Sequence, residues 1–328
     1  MRKKSHLADA AFFGVVLILV LVLLYSGLRI LESTVLRGPQ SADTVTDSKT
    51  IVRGDVSYFP RQDITVVMVL GIDQFGVVTH SEAYNNRGAA DMVMLLIFDE
   101  SGQTCNVLHL NRDTMLQMPV LGIGGREAGT YFGQLALSHT HGSGLADSCE
   151  NTRKTVSEFL YGITIDHYVS MNMDAISILN DAVGGVTVNV TEDFSRVDAS
   201  IGMGRVTLKG DQAIHFVRTR KDVGDQLNLS RIERQKEYID GFVDAFREKQ
   251  EQDTEFIAQA YSDVADYLVT DCSVNAISGM IDRYGDYEIG RVVTPEGENV
   301  LGGEYYEFYV DEEQLDKLIL ELFYAPKT

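Results

Sequence analysis

Long apolar runs separated by short polar turns dominate the first two-thirds of this chain. Ile64–Ile72 is almost unbroken in apolar residues, Met92–Phe98 follows it, and Asn106–Leu110 is a shorter third run. Runs of this length, rich in Val, Ile and Leu, predict strands buried on both faces of a sheet. Downstream, apolar positions recur every three or four residues, which predicts helices over Glu150–Tyr161, Met173–Val183, Gly210–Phe216 and Leu229–Lys249. Strands are expected between them at His167–Met171 and Val186–Val190. Strands interleaved with helices predict an α/β layered sandwich. After Gln250 the pattern shifts to acidic amphipathic helices (Thr254–Val269 and Ser273–Tyr284), strands near Tyr287–Val293 and Tyr305–Val310, and a last helix over Glu312–Phe323. That segment reads as an elaboration of the first domain or a small α/β subdomain. No internal repeat or low-complexity tract interrupts it.

The amino end follows a different pattern. From Ala10 to Leu28 there is no charged residue, and the nineteen positions roughly match a hydrocarbon core of about 30 Å. Arg2, Lys3 and Lys4 precede the run, which places the amino terminus in the cytoplasm and the rest of the chain outside. A cleaved signal peptide would have a shorter apolar core and a small-residue cleavage site, which does not follow Leu28. Glu32–Tyr58 mixes Gly, Pro, Ser, Thr and Asp without periodicity and reads as a stalk. The expected organisation is a cytoplasmic tail (1–9), one transmembrane helix (10–28), an extracytoplasmic stalk (29–60), a main domain (61–250) and the C-terminal segment (251–328). The expected location is therefore the cell membrane, crossed once.

Composition narrows the function classes. The chain has 328 residues, 45% hydrophobic and 23% charged, values that fit a globular protein rather than a disordered or fibrous one. Its 28 basic and 48 acidic residues leave a formal charge of −20. Beyond residue 9 the imbalance is greater, with 25 basic against 47 acidic residues. So acidic a surface repels nucleic acid unless its basic residues are gathered in one place. Three cysteines are too few for a disulfide scaffold, and no CxxC pair or HExxH helix marks a zinc site. Cys105, inside an apolar run, is expected to be a buried small hydrophobe. Cys149 and Cys272 lie beside helix starts in polar surroundings and are the candidate pair for a single disulfide.

Two constellations carry candidate chemistry. Acidic residues flank the predicted strands: Asp73 after Gly71-Ile72, Asp91 before Met92, and Asp113 after Arg112. In layered α/β folds strand ends open onto the ligand crevice. Convergent carboxylates there suit Mg²⁺ or Mn²⁺, although turn-forming and helix-capping aspartates also collect at strand ends. The second constellation is basic. Arg218 and Arg220 share one side if Val217–Lys221 is extended. Arg231 and Gln235, four apart, project from one face of the following helix, with Arg234 nearby. Arginines suit phosphate through their planar bidentate fork, though ion pairs with Asp222, Asp225 and Glu233 are the plain alternative. Together, carboxylates and arginines suggest a pyrophosphate site. His139 and His141, without a third ligand at a recognisable spacing, fit a loop or packing role. No Gly-x-Ser-x-Gly elbow supports a serine hydrolase, and Gly184-Gly185 reads as a helix C-cap.

In this order the segments resemble the LytR–CpsA–Psr family of cell-wall proteins. The resemblance rests on Val69-Leu70-Gly71-Ile72-Asp73, Ala90-Asp91, Asn111-Arg112-Asp113-Thr114, Asp181-Ala182-Val183-Gly184-Gly185-Val186, Val217-Arg218-Thr219-Arg220-Lys221 and the Arg231–Gln235 stretch. It spans Ile64 to about Phe246. It implies a membrane-anchored phosphotransferase that moves a glycopolymer (teichoic acid, capsule or similar) from a polyprenyl-pyrophosphate carrier to peptidoglycan. The implied fold is a three-layer αβα sandwich with a central mixed sheet, the pyrophosphate at the pocket mouth and the lipid tail in an apolar tunnel. By the same resemblance Asp73 and Asp91 are the metal-associated carboxylates, Mg²⁺ or Mn²⁺ the cofactor, and Arg112, Arg218, Arg220, Arg231 and Gln235 the pyrophosphate ligands. Asp113 is expected to orient Arg112 or help activate the acceptor hydroxyl. Two positions depart from the family. Ala89 stands where an arginine is usual, with Arg87 a substitute, and Gln134 where a basic residue is common, with Arg126 a substitute. The rival functions are a lipid-pyrophosphate hydrolase and a non-catalytic polyprenyl-lipid-binding or scaffold protein. Transcriptional regulation conflicts with an external acidic domain that lacks a helix-turn-helix pattern.

Overall fold

The computed structural model describes residues 50–219, 222–223, 228–253, 256–272, 276, 279–280, 283–285, 287–303 and 305–327. The anchor expected over 10–28 and most of the stalk lie outside them, and among the described residues no helix is long and apolar enough to cross a membrane. In chain order the elements are β1 (Ile51–Arg53), β2 (Val56–Pro60), β3 (Ile64–Ile72), β4 (Ala90–Asp99), β5 (Thr104–Leu110), β6 (Met115–Leu121), β7 (Glu127–Gln134), a 3₁₀ stretch (Leu135–His141), α1 (Ala146–Phe159), β8 (His167–Asn172), α2 (Asp174–Ala182), β9 (Val186–Val190), β10 (Gly204–Leu208), α3 (Asp211–Arg218), α4 (Asn228–Gln252), α5 (Phe256–Val264), β11 (Leu268–Thr270), β12 (Glu288–Val293), β13 (Gly297–Gly302), β14 (Tyr305–Val310), α6 (Glu312–Phe323) and β15 (Tyr324–Pro326). They form two compact units that do not follow a division at residue 250. One holds residues 172–268 and 273–285, and the other the described residues up to 171, 269–272 and those after 286.

The larger unit is built on a six-stranded sheet in the order β11-β8-β3-β4-β5-β12. β4 runs antiparallel to β3 and β5, while β12 runs parallel to β5, so the sheet is mixed as expected. The uninterrupted apolar runs make this an inner layer. Val66, Met68 and Leu70 share one face with Val93, Leu95, Ile97, Leu108 and Leu110, packed with Cys149 and Val156 of α1 and Leu315 and Ile319 of α6. On the opposite face Val67, Val69, Met94, Leu96 and Val107 are equally buried. Each such side chain contributes roughly 1.5–3 kcal/mol by leaving water. His109, on that second face, has its pKa pushed down to about 4 by burial, so it stays neutral.

Several expectations are corrected. Residues 51–60, assigned above to the stalk, are a hairpin: β1 pairs with β2, and β2 pairs with the C-terminal β15. A Gly54-Asp55 turn, with Gly54 at positive φ, and β-branched neighbours suffice for strands where the composition alone reads as a linker. The helix expected over Thr254–Val269 stops at Val264, because Leu268-Val269-Thr270 extends as a strand at the sheet edge. The candidate disulfide does not form. Cys149 is buried inside α1 and Cys272 lies beside Asp271; both are free thiols, as is Cys105. Burial pushes Cys105 and Cys149 up to about 12, which makes them inert packing groups.

An ion-pair network closes one margin of the larger unit. The Arg61 guanidinium bonds Asp63 (2.7 Å) and Asp99 (2.8 Å), and its backbone N–H donates to Phe323 O. Arg61 holds both carboxyls below the usual carboxylate range, with Ser101 also donating to Asp63. Depressed carboxyl pKa values stabilise the fold fully above the unfolded value of about 4, and that contribution is lost as pH falls through the folded values. We expect Arg61→Ala to flatten the fall in denaturation midpoint between about pH 5 and pH 2. Chemical denaturation across that range checks it, and an unchanged slope counts against the network.

In the smaller unit α2 packs against α3 and α5, and α4 lies against α3 and β9. The Gly184-Gly185 C-cap is realised: both residues have positive φ, and their N–H groups donate to Asp181 O and Asn180 O. Tyr238, Phe242 and Phe246 recur every four residues along α4 and pack in series, with Phe256 of α5 against Phe246.

Candidate functional site

Two strand ends are tied together by one carbonyl. β3 runs out at Ile72 and β4 begins at Ala90, and the register slips between them: Gly71 pairs with Met92 but Ile72 pairs with Ala90. Asp91 is therefore the extra residue of a β-bulge, a device that re-aims a side chain at a strand end. The N–H groups of Asp73 (2.9 Å) and Asp91 (3.1 Å) both donate to Ala89 O. The two carboxylates expected to hold a metal thus grow from adjoining backbone.

The third member arrives from β5. After Leu110 the Asn111 carboxamide accepts from Asp113 N–H (3.0 Å), and Asn111 O accepts from Thr114 N–H and hydroxyl, closing a tight turn. Arg112 O and Thr114 O in turn accept from Ala136 and Leu135, and Asp113 O accepts from Phe308 of β14. So held, the Arg112 guanidinium donates to the Asp91 carboxylate through Nη1 and approaches Asp113 Oδ1 through Nε at 3.3 Å. Gln134 donates to the same Asp113 oxygen at 2.9 Å and to Tyr306 O at 2.8 Å. The side chains of Arg112, Asp91 and Asp113 remain 40%, 30% and 29% exposed, open to a solute. The departure at Gln134 acquires a role here: an amide both supports Asp113 and anchors the β14 backbone. Arg87, in the loop before Ala89, and Arg126, between β6 and β7, are exposed.

Ala89 is fixed by groups the sequence did not single out as a set. Buried Asn86 donates to His139 O, Gly142 O and Ser148 Oγ, and accepts from Gly88 N–H. His139 Nδ1 bonds Gly88 O at 2.8 Å. Burial holds the His139 imidazole below its ordinary pKa, so it is neutral and donates from Nδ1. The packing role expected for His139 is thus what is found, and it supports the loop that places Asp73 and Asp91. We expect His139→Leu to cost about 1–3 kcal/mol by orphaning Gly88 O. A histidine with a lowered folded pKa stabilises fully above its unfolded value of about 6.5 and less as pH falls. Part of the wild-type loss between about pH 7 and pH 5 should therefore vanish in the variant, while that from His109 remains. Denaturant midpoints across this range measure both effects.

The basic constellation lies in the smaller unit. Arg218 is exposed at the last position of α3, so Val217–Lys221 is not one extended segment; the helix persists to Arg218, and of the described residues in this stretch Thr219 is extended. Arg220 lies outside the described residues. The backbone of α4 carries Arg231 and Gln235 four positions apart, as expected. Arg234 is buried: Nε donates to Phe216 O, Nη2 to Thr219 O and Nη1 to Glu192, with the guanidinium over the Phe194 ring. It clamps the backbone on both sides of Arg218 and is structural.

Comparison with known proteins adds three findings. A family model described as the LytR_cpsA_psr family matches residues 34–323. A relative from Oceanobacillus iheyensis, named polyisoprenyl-teichoic acid–peptidoglycan teichoic acid transferase TagU, is 26% identical over 70% of this chain and 67% of its own length. An Enterococcus faecalis relative of the same name is 28% identical over 73% of this chain and 71% of its own. Among solved structures, one titled TagT bound to LI-WTA superposes with a TM-score of 0.54 at 22% identity, covering 80% of this chain and 90% of that one. B. subtilis TagV gives a TM-score of 0.54 at 21% identity, over 80% of this chain and 96% of that one. Such structural likeness concerns the fold: a shared α/β architecture with a mixed sheet.

Proposed function

Because this chain belongs to the LytR–CpsA–Psr family, we propose that it is a membrane-anchored transferase that moves a glycopolymer from a polyprenyl-pyrophosphate carrier to peptidoglycan. The relatives' names, which specify teichoic acid as the polymer and peptidoglycan as the acceptor, support that substrate class. The observation that carries the reading is the Asp91–Arg112–Asp113 cluster on adjoining strand ends. An arginine fork held between two carboxylates is pre-aimed and still partly exposed, so that an entering phosphate, with a cation on the carboxylates, can take over its donors. Phe75 and Val77, 52% and 49% exposed in the loop after Asp73, offer apolar surface beside the charged groups, as a prenyl chain requires.

The donor set at Asp73 and Asp91 fits Mg²⁺ or Mn²⁺: two hard oxygen ligands on neighbouring backbone, with places left for phosphate and water. Such an ion, when bound, neutralises negative charge on phosphate oxygens. The chain's own residues do the rest. Arg112 holds the pyrophosphate and balances charge developing on the bridging oxygen. The acceptor hydroxyl attacks the phosphorus bonded to the glycan. A new P–O bond forms to peptidoglycan, the bond to the bridging oxygen breaks, and polyprenyl phosphate departs with that electron pair. Asp113, its Oδ1 fixed by Arg112 and Gln134, takes the hydroxyl proton. The anchor at 10–28 would keep this chemistry at the outer membrane surface, beside both lipid carrier and wall.

The test supplies the full-length chain in detergent with a synthetic lipid-pyrophosphate glycan, Mg²⁺ and peptidoglycan oligomers. The expected product is glycan phosphate joined to the oligomer, with one polyprenyl phosphate released per join. Free glycan phosphate without joined product would make the protein a hydrolase, and bound lipid without turnover would make it a carrier protein.

A further inference from the structure

Away from the strand-end cluster, three chemically different donors meet. His167 opens β8, and Asp271 and Cys272 follow β11, the neighbouring strand of the same sheet. One ligand atom from each lies within 4.8 Å of the other two. His167 Nδ1 stands 3.6 Å from Asp271 Oδ1, and Cys272 Sγ stands 3.7 Å from the same oxygen. A nitrogen–oxygen separation of 3.6 Å is too long for a hydrogen bond. It does match co-ligation: bonds of about 2.0–2.3 Å to one tetrahedral ion set ligand atoms about 3.4–3.6 Å apart. The His167 Nδ1 atom is moreover buried without a hydrogen-bond partner, a costly state for a ring nitrogen.

The frame around these atoms is rigid. Tyr168 N–H donates to Asp271 Oδ1 at 2.9 Å and leaves that oxygen a second lone pair. The Thr270 hydroxyl donates to Tyr168 O and accepts from Cys272 N–H, which locks the stretch after β11 onto β8. Arg153 Nη1 lies 3.8 Å from the other Asp271 oxygen and orients the carboxylate from behind. Outer partners of this kind hold metal ligands in place.

We propose that His167 Nδ1, Asp271 Oδ1 and Cys272 Sγ bind one Zn²⁺ ion, with the fourth position open to water. The ligand types decide the metal. Nitrogen, oxygen and sulfur together suit a borderline ion, whereas Mg²⁺ and Ca²⁺ take oxygen alone. Carboxylate and thiolate neutralise the ion's charge, and the thiol proton leaves to solvent on binding. The bound ion ties the start of β8 to the residues after β11, a staple independent of the phosphotransfer reading.

Metal-stripped full-length protein titrated with Zn²⁺ against a chromophoric chelator tests the site, with Co²⁺ as the spectroscopic substitute. One equivalent should bind, and the Co²⁺ form should show a thiolate charge-transfer band. Cys272→Ser and His167→Gln should each weaken binding at least about tenfold. The Cys105→Ser/Cys149→Ser double variant should keep the band, which identifies the thiolate even if Cys272→Ser fails to fold. Binding of no equivalent by folded wild type, or undiminished binding by folded Cys272→Ser, would reduce the cluster to a His167–Asp271 ion pair and overturn the proposal.

Discussion

Arg112→Ala is expected to slow glycan transfer by about 100- to 1,000-fold, the range seen when one positioned donor to developing charge is removed. The expectation follows from how the residue is held. Asn111 closes the turn beneath it, Ala136 N–H fixes its carbonyl, and Asp91 and Asp113 receive its guanidinium. A side chain fixed this way loses little entropy on meeting a phosphate, so its removal costs rate more than fold. Stability should change little, because the three partners are partly exposed and such pairs contribute at most about 1 kcal/mol. Arg112→Lys should recover only part of the loss, since an ammonium cannot reach two acceptors in one plane. Steady-state rates beside a thermal melt separate the two effects. A variant that melts normally yet transfers at the wild-type rate would remove Arg112 from the mechanism.

Arg234→Ala has the opposite signature: a loss of about 3 kcal/mol in stability, with activity falling because the smaller unit loosens. The guanidinium is 5% exposed and Glu192 16%, so truncation leaves a largely buried carboxylate and two carbonyls, Phe216 O and Thr219 O, without their donor. The Phe194 ring, stacked on Phe216 with centroids 5.6 Å apart, also loses the cation above it. Adding Glu192→Ala should restore part of the loss, since the uncompensated charge disappears with it. Urea denaturation of wild type, both single variants and the double variant checks the coupling. Strict additivity would show that the two residues act separately.

These two arginines also mark where sequence reasoning reached and where it stopped. Both fall in motifs that resemble the family, yet only burial distinguishes the proposed phosphate ligand, Arg112, from the clamp, Arg234. Sequence spacing puts Arg231, Arg234 and Gln235 on one helix and cannot say which turns inward. The inner strands were legible because apolar runs such as Ile64–Ile72 leave no other way to be buried. Asp73 and Asp91 were legible as strand-end carboxylates, but the bulge that re-aims Asp91 is a matter of register between β3 and β4. The roles of Asn86 and His139 depend on contacts across some fifty positions of chain, for which no local pattern exists. Residues 51–60 were misread for the same reason: β2 is completed by β15, the last strand of the chain. The disulfide expectation failed because polar neighbours in sequence did not reveal that Cys149 faces the core of its helix packing.

The central claim is transfer of the glycan-bearing phosphate, and the fate of a labelled phosphorus tests it most directly. A carrier labelled only at the phosphate bonded to the glycan should yield, with Mg²⁺ and peptidoglycan oligomers, label in a phosphodiester joined to the oligomer and none in the released polyprenyl phosphate. Label recovered in free phosphate or in the lipid, with no phosphodiester on the oligomer, would contradict it.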